Sequence, residues 1–384
     1  MKLKLANADG VFETYRLQGE PLPAKKPRAP FNRVAFAAAH VVADPFSDAD
    51  PSGSPVIDWD RTLAYRRYLL DLGFGIAEAM DTSQRGMGLD WPKALELIAR
   101  SLADAGKRAG QIYSGCGTDH LAPGDARSLD DVVRAYLEQL NAIQGKGGRI
   151  ILMASRALVK VAKSPDDYIK VYSRVLAEAE HPVILHWLGE MFDPALKGYW
   201  GHKDFAHTME TCLAAIEANA AKVDGIKISL LDDAKEVTMR RRLPESVKMY
   251  TGDDFNYPAL IAGDEQGHSH ALLGIFDAIA PAASGALAAL AKGNMKTYNT
   301  LMAPTVPLSR LIFQAPTQYY KTGIVFLAWL NGHQDHFIMV GGAHSMRPLP
   351  YFTGIFKLAD QAGLLADPEL AVKRMKHMLA FYGA

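Results

Sequence analysis

Eight short apolar runs, each followed by a longer stretch of helical periodicity, set the strongest limit on what this chain folds into. They lie at 34–42, 75–80, 111–116, 150–154, 182–187, 224–228, 247–251 and 271–276. Runs of that length between amphipathic helices are the pattern of a parallel sheet covered by helices. Eight such units, after which the alternation stops, are the number that closes a (β/α)8 TIM barrel. A doubly wound open sheet is the competing arrangement, but no Gly-rich phosphate loop follows the first run. Beyond about residue 285 the pattern becomes wholly helical, with segments at 286–292, 295–313, 318–331, 349–363 and 368–381. Residues 1–30 end in a Pro- and Lys-rich stretch, 21–30, that reads as a linker. The expected organisation is an N-terminal extension over 1–30, an α/β barrel over 31–285 and a C-terminal helical extension over 286–384.

Bulk properties narrow the partners. The 42 Lys and Arg residues equal the 42 Asp and Glu residues, so no long-range field draws nucleic acid or an anionic membrane. A charged ligand must be held by a local site, and a small molecule is the expected partner. Two cysteines, Cys116 and Cys212, are too few for a disulfide framework and fit a reducing compartment as buried small hydrophobes. The first dozen residues carry no apolar run of signal-peptide length. The most membrane-like stretch, 272–291, contains Asp277 and Pro281 and reads as a buried strand running into a helix. The expectation is a cytoplasmic enzyme with no membrane contact.

Several separated blocks carry a resemblance. Gly225-Ile226-Lys227 lies on the sixth run, Tyr250-Thr251-Gly252-Asp253-Asp254 closes the seventh, and 272–281 covers the eighth. Asp44-Pro45-Phe46 and Ile57-Asp58-Trp59 follow the first run, and Asp81-Thr82-Ser83-Gln84-Arg85 follows the second. Leu301-Met302-Ala303-Pro304 and Lys321-Thr322-Gly323 lie in the helical region. In order and spacing these blocks resemble the dihydrodipicolinate synthase / N-acetylneuraminate lyase family over roughly 31–365. The closest likeness is to a bacterial branch of that family separate from the biosynthetic synthase. The resemblance implies a barrel enzyme with Lys227 as its Schiff-base lysine, no cofactor, and assembly as a homodimer or homotetramer. Two departures stand out. Ser155-Arg156-Ala157 replaces the family's Pro-Tyr-Tyr block, and Asp81 and Gln84-Arg85 replace glycine and Gly-Glu in its Gly-Thr-Thr-Gly-Glu block. The missing tyrosine moves protons in both named activities, so neither named activity is expected here.

The residue types themselves suggest roles. A lysine on a barrel strand sits in a desolvated interior, where its amine is freed to attack a carbonyl. The plain alternative is a lysine paired with a carboxylate at the barrel floor. Thr82 and Ser83 would hold a substrate carboxylate or relay a proton, or else merely turn the chain. Arg156 would clamp an anion or form a surface salt bridge. His186, with a pKa near neutrality, is the candidate for moving protons in place of the missing tyrosine, with Glu190 four residues on. Asp253 and Asp254 would bind sugar hydroxyls or cap the next helix. His270 joins the substrate-binding candidates. His40, Glu78, Asp81, His120, His186, Asp253, His268 and His270 make a divalent metal site conceivable, although no His-Glu-x-x-His spacing occurs and no metal ligand set is assigned. Arg240-Arg241-Arg242 reads as a solvated helix end, Trp187 and Trp200 as core, and 189–203 as a lid or specificity loop.

The leading expectation is a class I aldolase, lyase or dehydratase acting on a 2-keto acid or a sugar-derived carbonyl. Its rivals are a metal-dependent isomerase, epimerase or hydrolase on a sugar derivative, and a non-catalytic binding protein that kept the barrel.

Overall fold

The computed structural model describes residues 1–7, 9–50 and 53–384. Two strands precede the barrel: β1 (Lys2–Ala6) and β2 (Phe12–Arg16), paired antiparallel. The barrel strands are β3 (Ala35–Ala38), β4 (Gly75–Glu78), β5 (Ile112–Cys116), β6 (Arg149–Leu152), β7 (Val183–Leu188), β8 (Val223–Ser229), β9 (Lys248–Thr251) and β10 (His270–Leu273). They close in the order β10-β3-β4-β5-β6-β7-β8-β9, the sequential order of a (β/α)8 barrel. All eight expected runs become strands, and helices alternate with them before a wholly helical C-terminal segment.

Local chemistry explains where strands and helices stop. The first run was expected to extend to residue 42, but β3 ends at Ala38. Beyond it, backbone donors are taken by side chains: His40 N donates to Asp277 Oδ2 (2.8 Å) and Val42 N to Thr62 Oγ1 (3.0 Å). The last run was expected to reach residue 276, yet β10 ends at Leu273 and the chain winds into the short helix Ile275–Ala278. Asp58 caps the helix Trp59–Asp71, and Ser128 with Asp131 forms a capping box for Leu129–Gln144.

Two compact units result. One comprises 75–81 and 90–273, and so contains seven of the eight barrel strands. The other comprises 1–74, 82–89 and 274–384. Within the latter, the helix Tyr320–Leu330 is buried on every side, as expected of an all-round apolar helix. The segment before residue 20 is more than an extension. Lys and Leu alternate along β1, so Leu3 and Leu5 are buried while Lys2 and Lys4 face solvent. The hairpin is fastened to the helix Leu349–Gln361: Tyr15 OH and Gln18 N donate to Asp360 Oδ2 (2.7 and 2.8 Å), and Thr353 Oγ1 donates to Ala6 O (2.8 Å). Among the described residues no helix is long and apolar enough to cross a membrane.

Candidate active site

Lys227 sits on β8, flanked in register by His186 of β7 and Tyr250 of β9. It is 7% exposed. Among the described residues it enters no ion pair; Asp81 and Asp254 reach it only through space. Burial lowers its pKa below the ordinary lysine value, against the opposing pull of those two carboxylates. A glycine makes room for it. A Cβ at Gly252 would stand 2.8 Å from Lys227 Cε, 2.3 Å from Ser229 Oγ and 2.6 Å from Ile228 O. A side chain there would clash with the β8 backbone at Ile228 O and crowd Ser229 Oγ and the Lys227 stem.

His186 lies beside Lys227 on the same face of the sheet. Its Nε2 is 3.2 Å from Ser229 Oγ, and its buried Nδ1 has no protein partner among the described residues. Burial, and then the Lys227 charge, push its pKa well below the usual histidine value. A pKa near neutrality is thus not what the fold provides, since desolvation favours the neutral imidazole. Desolvation, which a sequence does not display, makes the difference.

The two aspartates after β9 divide their work. Asp253 Oδ1 accepts from Phe255 N (2.8 Å) and Asn256 N (3.0 Å), and Oδ2 accepts from Asn256 Nδ2 (2.9 Å). It ties the turn that leads into the helix Tyr257–Ala262, whose N-cap position is held by Asn256 and not by Asp253. Burial nonetheless raises its pKa. Asp254 is buried and acts on Lys227. Asp81, immediately beyond β4, is half-buried, and among the described residues no hydrogen bond or ion pair engages its carboxylate.

Other candidates fall elsewhere. Arg156 opens the helix Arg156–Val161 and donates from Nε to Asp193 Oδ2 (2.6 Å), with its side chain 46% exposed. His270 is the first residue of β10, with its ring 5.6 Å from that of Tyr250. His270 pairs in register with Tyr250, the β9 neighbour of Lys227, and Tyr250 in turn donates to Asp224 Oδ2 (2.7 Å) near the start of β8. Arg240 is not solvated. Its side chain is 8% exposed and bound to Asp264 (2.9 Å). The 189–203 loop is folded down: Phe192, Leu196, Tyr199 and Trp200 are buried, and Ser155 N donates to Tyr199 OH (3.2 Å). Trp200 packs on Tyr172, and Trp187 stacks on Phe205, both as core.

In the other unit, Thr82 and Ser83 occupy a buried single turn, Asp81–Ser83. Ser83 Oγ donates to Ala39 O (2.6 Å). Thr82 Oγ1 is 2.8 Å from the hydroxyl of Tyr320, a partner that the sequence reading did not anticipate. Phe313 stacks on Tyr320 with ring centroids 4.3 Å apart. The available signal was the position of Tyr320 directly before the Lys321-Thr322-Gly323 block.

Three of the candidate metal ligands have local partners. His40 Nδ1 is 2.8 Å from Asp277 Oδ2, Glu78 accepts from Ala79 N and Ser101 Oγ, and His120 Nδ1 is 2.8 Å from Gln139 Nε2. Among the described residues no three His, Cys, Asp or Glu side chains converge to hold a metal ion.

This barrel has the fold of the dihydrodipicolinate synthase-like proteins. Dihydrodipicolinate synthase from Aquifex aeolicus superposes with a TM-score of 0.60 at 12% identity, covering 91% of this chain and 98% of that one. YagE of E. coli K12, described as a prophage protein of the dihydrodipicolinic acid synthase family in complex with pyruvate, gives 0.67 at 13% identity, covering 87% and 99%. Chloride-inhibited dihydrodipicolinate synthase from Acinetobacter baumannii, complexed with pyruvate, gives 0.62 at 16% identity, covering 86% and 99%. The chain itself belongs to the family described as "Protein of unknown function (DUF993)", matched over residues 3–384. No curated protein matches it in sequence.

Proposed function

We propose that this protein is a Schiff-base (class I) aldolase, lyase or dehydratase, with Lys227 as the imine-forming residue. The observation that carries this reading is a buried lysine on β8 that enters no ion pair among the described residues and whose pKa burial lowers. An amine so placed holds a larger neutral fraction at physiological pH than a solvated lysine, and the neutral amine is the nucleophile. It adds to the substrate carbonyl, and the oxygen leaves as water after protonation. The resulting iminium accepts the electron pair of a breaking bond next to it, giving an enamine. Protonation of the enamine and hydrolysis return the amine. Neutral His186, beside Lys227 and hydrogen-bonded to Ser229, is assigned to proton movement at this centre. Two similarly folded proteins are described with pyruvate bound, which supports carbonyl chemistry in barrels of this shape. Thr82 and Ser83 are assigned to fixing their own turn, because both hydroxyls have partners.

Borohydride reduction in the presence of pyruvate, other 2-keto acids and keto-sugars, followed by peptide mass spectrometry, tests this. The expected result is a reduced adduct on Lys227 that is lost in Lys227→Ala protein of unchanged fold. Turnover retained in Lys227→Ala would sink the idea. The resemblance also implies a homodimer or homotetramer, which light scattering coupled to gel filtration checks.

A further inference from the structure

The charges surrounding Lys227 bear on which carbonyl compound the barrel admits. In the cyclic strand order, β4 and β8 stand four places apart and therefore face each other across the barrel. Asp81 comes directly after β4, at the end where barrel enzymes assemble their sites. Its carboxylate is half-buried and engaged by no protein donor among the described residues. Asp254, next to the Gly252-Asp253 turn that abuts the lysine stem, adds a second, buried carboxylate. The arginine that might have balanced them, Arg156, is bound to Asp193.

We propose that Asp81 is the selectivity residue of this site, accepting hydrogen bonds from substrate hydroxyls, so that the substrate is a hydroxylated, sugar-derived carbonyl compound without a carboxylate. This rests on the Schiff-base reading. A 2-keto acid held on Lys227 would bring its carboxylate towards Asp81 and Asp254, two like charges. A hydroxylated aldehyde or ketone instead offers donors, and an ionised carboxylate is a strong acceptor for them. The substrate then spans the barrel, its carbonyl carbon at Lys227 and a hydroxyl on the far wall at Asp81. The choice between the two substrate types that the sequence leaves open falls on the sugar-derived one.

The test pairs two probes, dihydroxyacetone and pyruvate, with wild type, Asp81→Asn and Asp81→Ala. Initial rates of borohydride-trapped adduct on Lys227 are read by mass spectrometry, with melting curves as a check on folding. Wild type should trap dihydroxyacetone faster than pyruvate by about 10-fold. Either variant should lose about 10-fold on dihydroxyacetone, the scale of one hydrogen bond to a charged acceptor, and gain on pyruvate. Faster trapping of pyruvate by wild type, or equal changes with both probes, overturns the selectivity. Calorimetric binding of dihydroxyacetone to Lys227→Ala protein, with and without Asp81→Asn, separates this inference from the imine. No adduct with either probe but Asp81-dependent binding overturns the imine alone. Adducts on Lys227 with binding indifferent to Asp81 overturn the selectivity alone.

Discussion

Two lysines are buried in this protein to nearly the same degree, and their surroundings differ completely. Lys321, 4% exposed, donates to Gln318 O (3.1 Å) and lies 3.3 Å from Met87 Sδ, with its ammonium 4.8 Å from the centre of the Tyr320 ring. Lys227, 7% exposed, has two carboxylates at a distance and none in contact. Burying an ammonium is costly unless hydrogen bonds and opposite charge replace its water. Lys321 has such replacements and is held as a structural cation. Lys227 enters no ion pair among the described residues, and burial lowers its pKa against the pull of Asp81 and Asp254.

Substituting both lysines with methionine is the sharpest way to break this comparison. Lys227→Met should abolish adduct formation and turnover while the melting temperature holds or rises. Lys321→Met should remain active but lose about 1–3 kcal/mol of stability, read from urea melts. If Lys227→Met were the destabilised one, the lysine would be structural. Gly252→Ala comes next. Its methyl group meets Ser229 Oγ, Ile228 O and the Lys227 stem, so activity should fall at least 10-fold together with about 1–3 kcal/mol of stability.

Glu236 extends the comparison to a buried acid. It lies in the helix Asp233–Arg240 and accepts from Ser269 Oγ (2.6 Å), and burial raises its pKa from 4.5 to about 8. With the folded value above the unfolded one, the folded protein binds more protons between roughly pH 4.5 and 8. The stability from this group is present in full below that window and is lost as pH rises through it. Glu236→Gln should therefore flatten the decline in melting temperature between pH 5 and 9; an unchanged decline would assign it to another group. The smallest effect is expected of Arg156→Ala. Its half-exposed pair with Asp193 should contribute less than about 1 kcal/mol and leave trapping at Lys227 within about 2-fold.

The barrel was legible because buried parallel strands are continuous apolar runs, and eight of them leave few alternatives. Their ends were less so. The side chains of Asp277 and Thr62 that terminate β3 come from distant parts of the chain, which no local window contains. In the site, Lys227 was found through its flanking residues, and the null space at Gly252 was not, since it depends on three neighbours brought together by folding. The ordinary histidine pKa that makes His186 a proton-transfer candidate in sequence is displaced by burial. Asp253 and Asp254 look alike in sequence, yet one ties a turn and the other acts on the lysine through space. Thr82 was named, but its partner Tyr320 is 238 residues away.

The hairpin fastened to Asp360 imposes a timetable on synthesis. Tyr15 and its carboxylate partner are 345 residues apart, so at about 5–20 residues per second the hairpin waits roughly 20–70 s for its anchor to leave the ribosome. The unit that carries Lys227 is complete by residue 273, well before that moment. During the interval the apolar side of β1, Leu3 and Leu5, has no helix to cover it. Until the helix Leu349–Gln361 emerges, Leu3 and Leu5 therefore offer an uncovered apolar face that chaperones and proteases can reach.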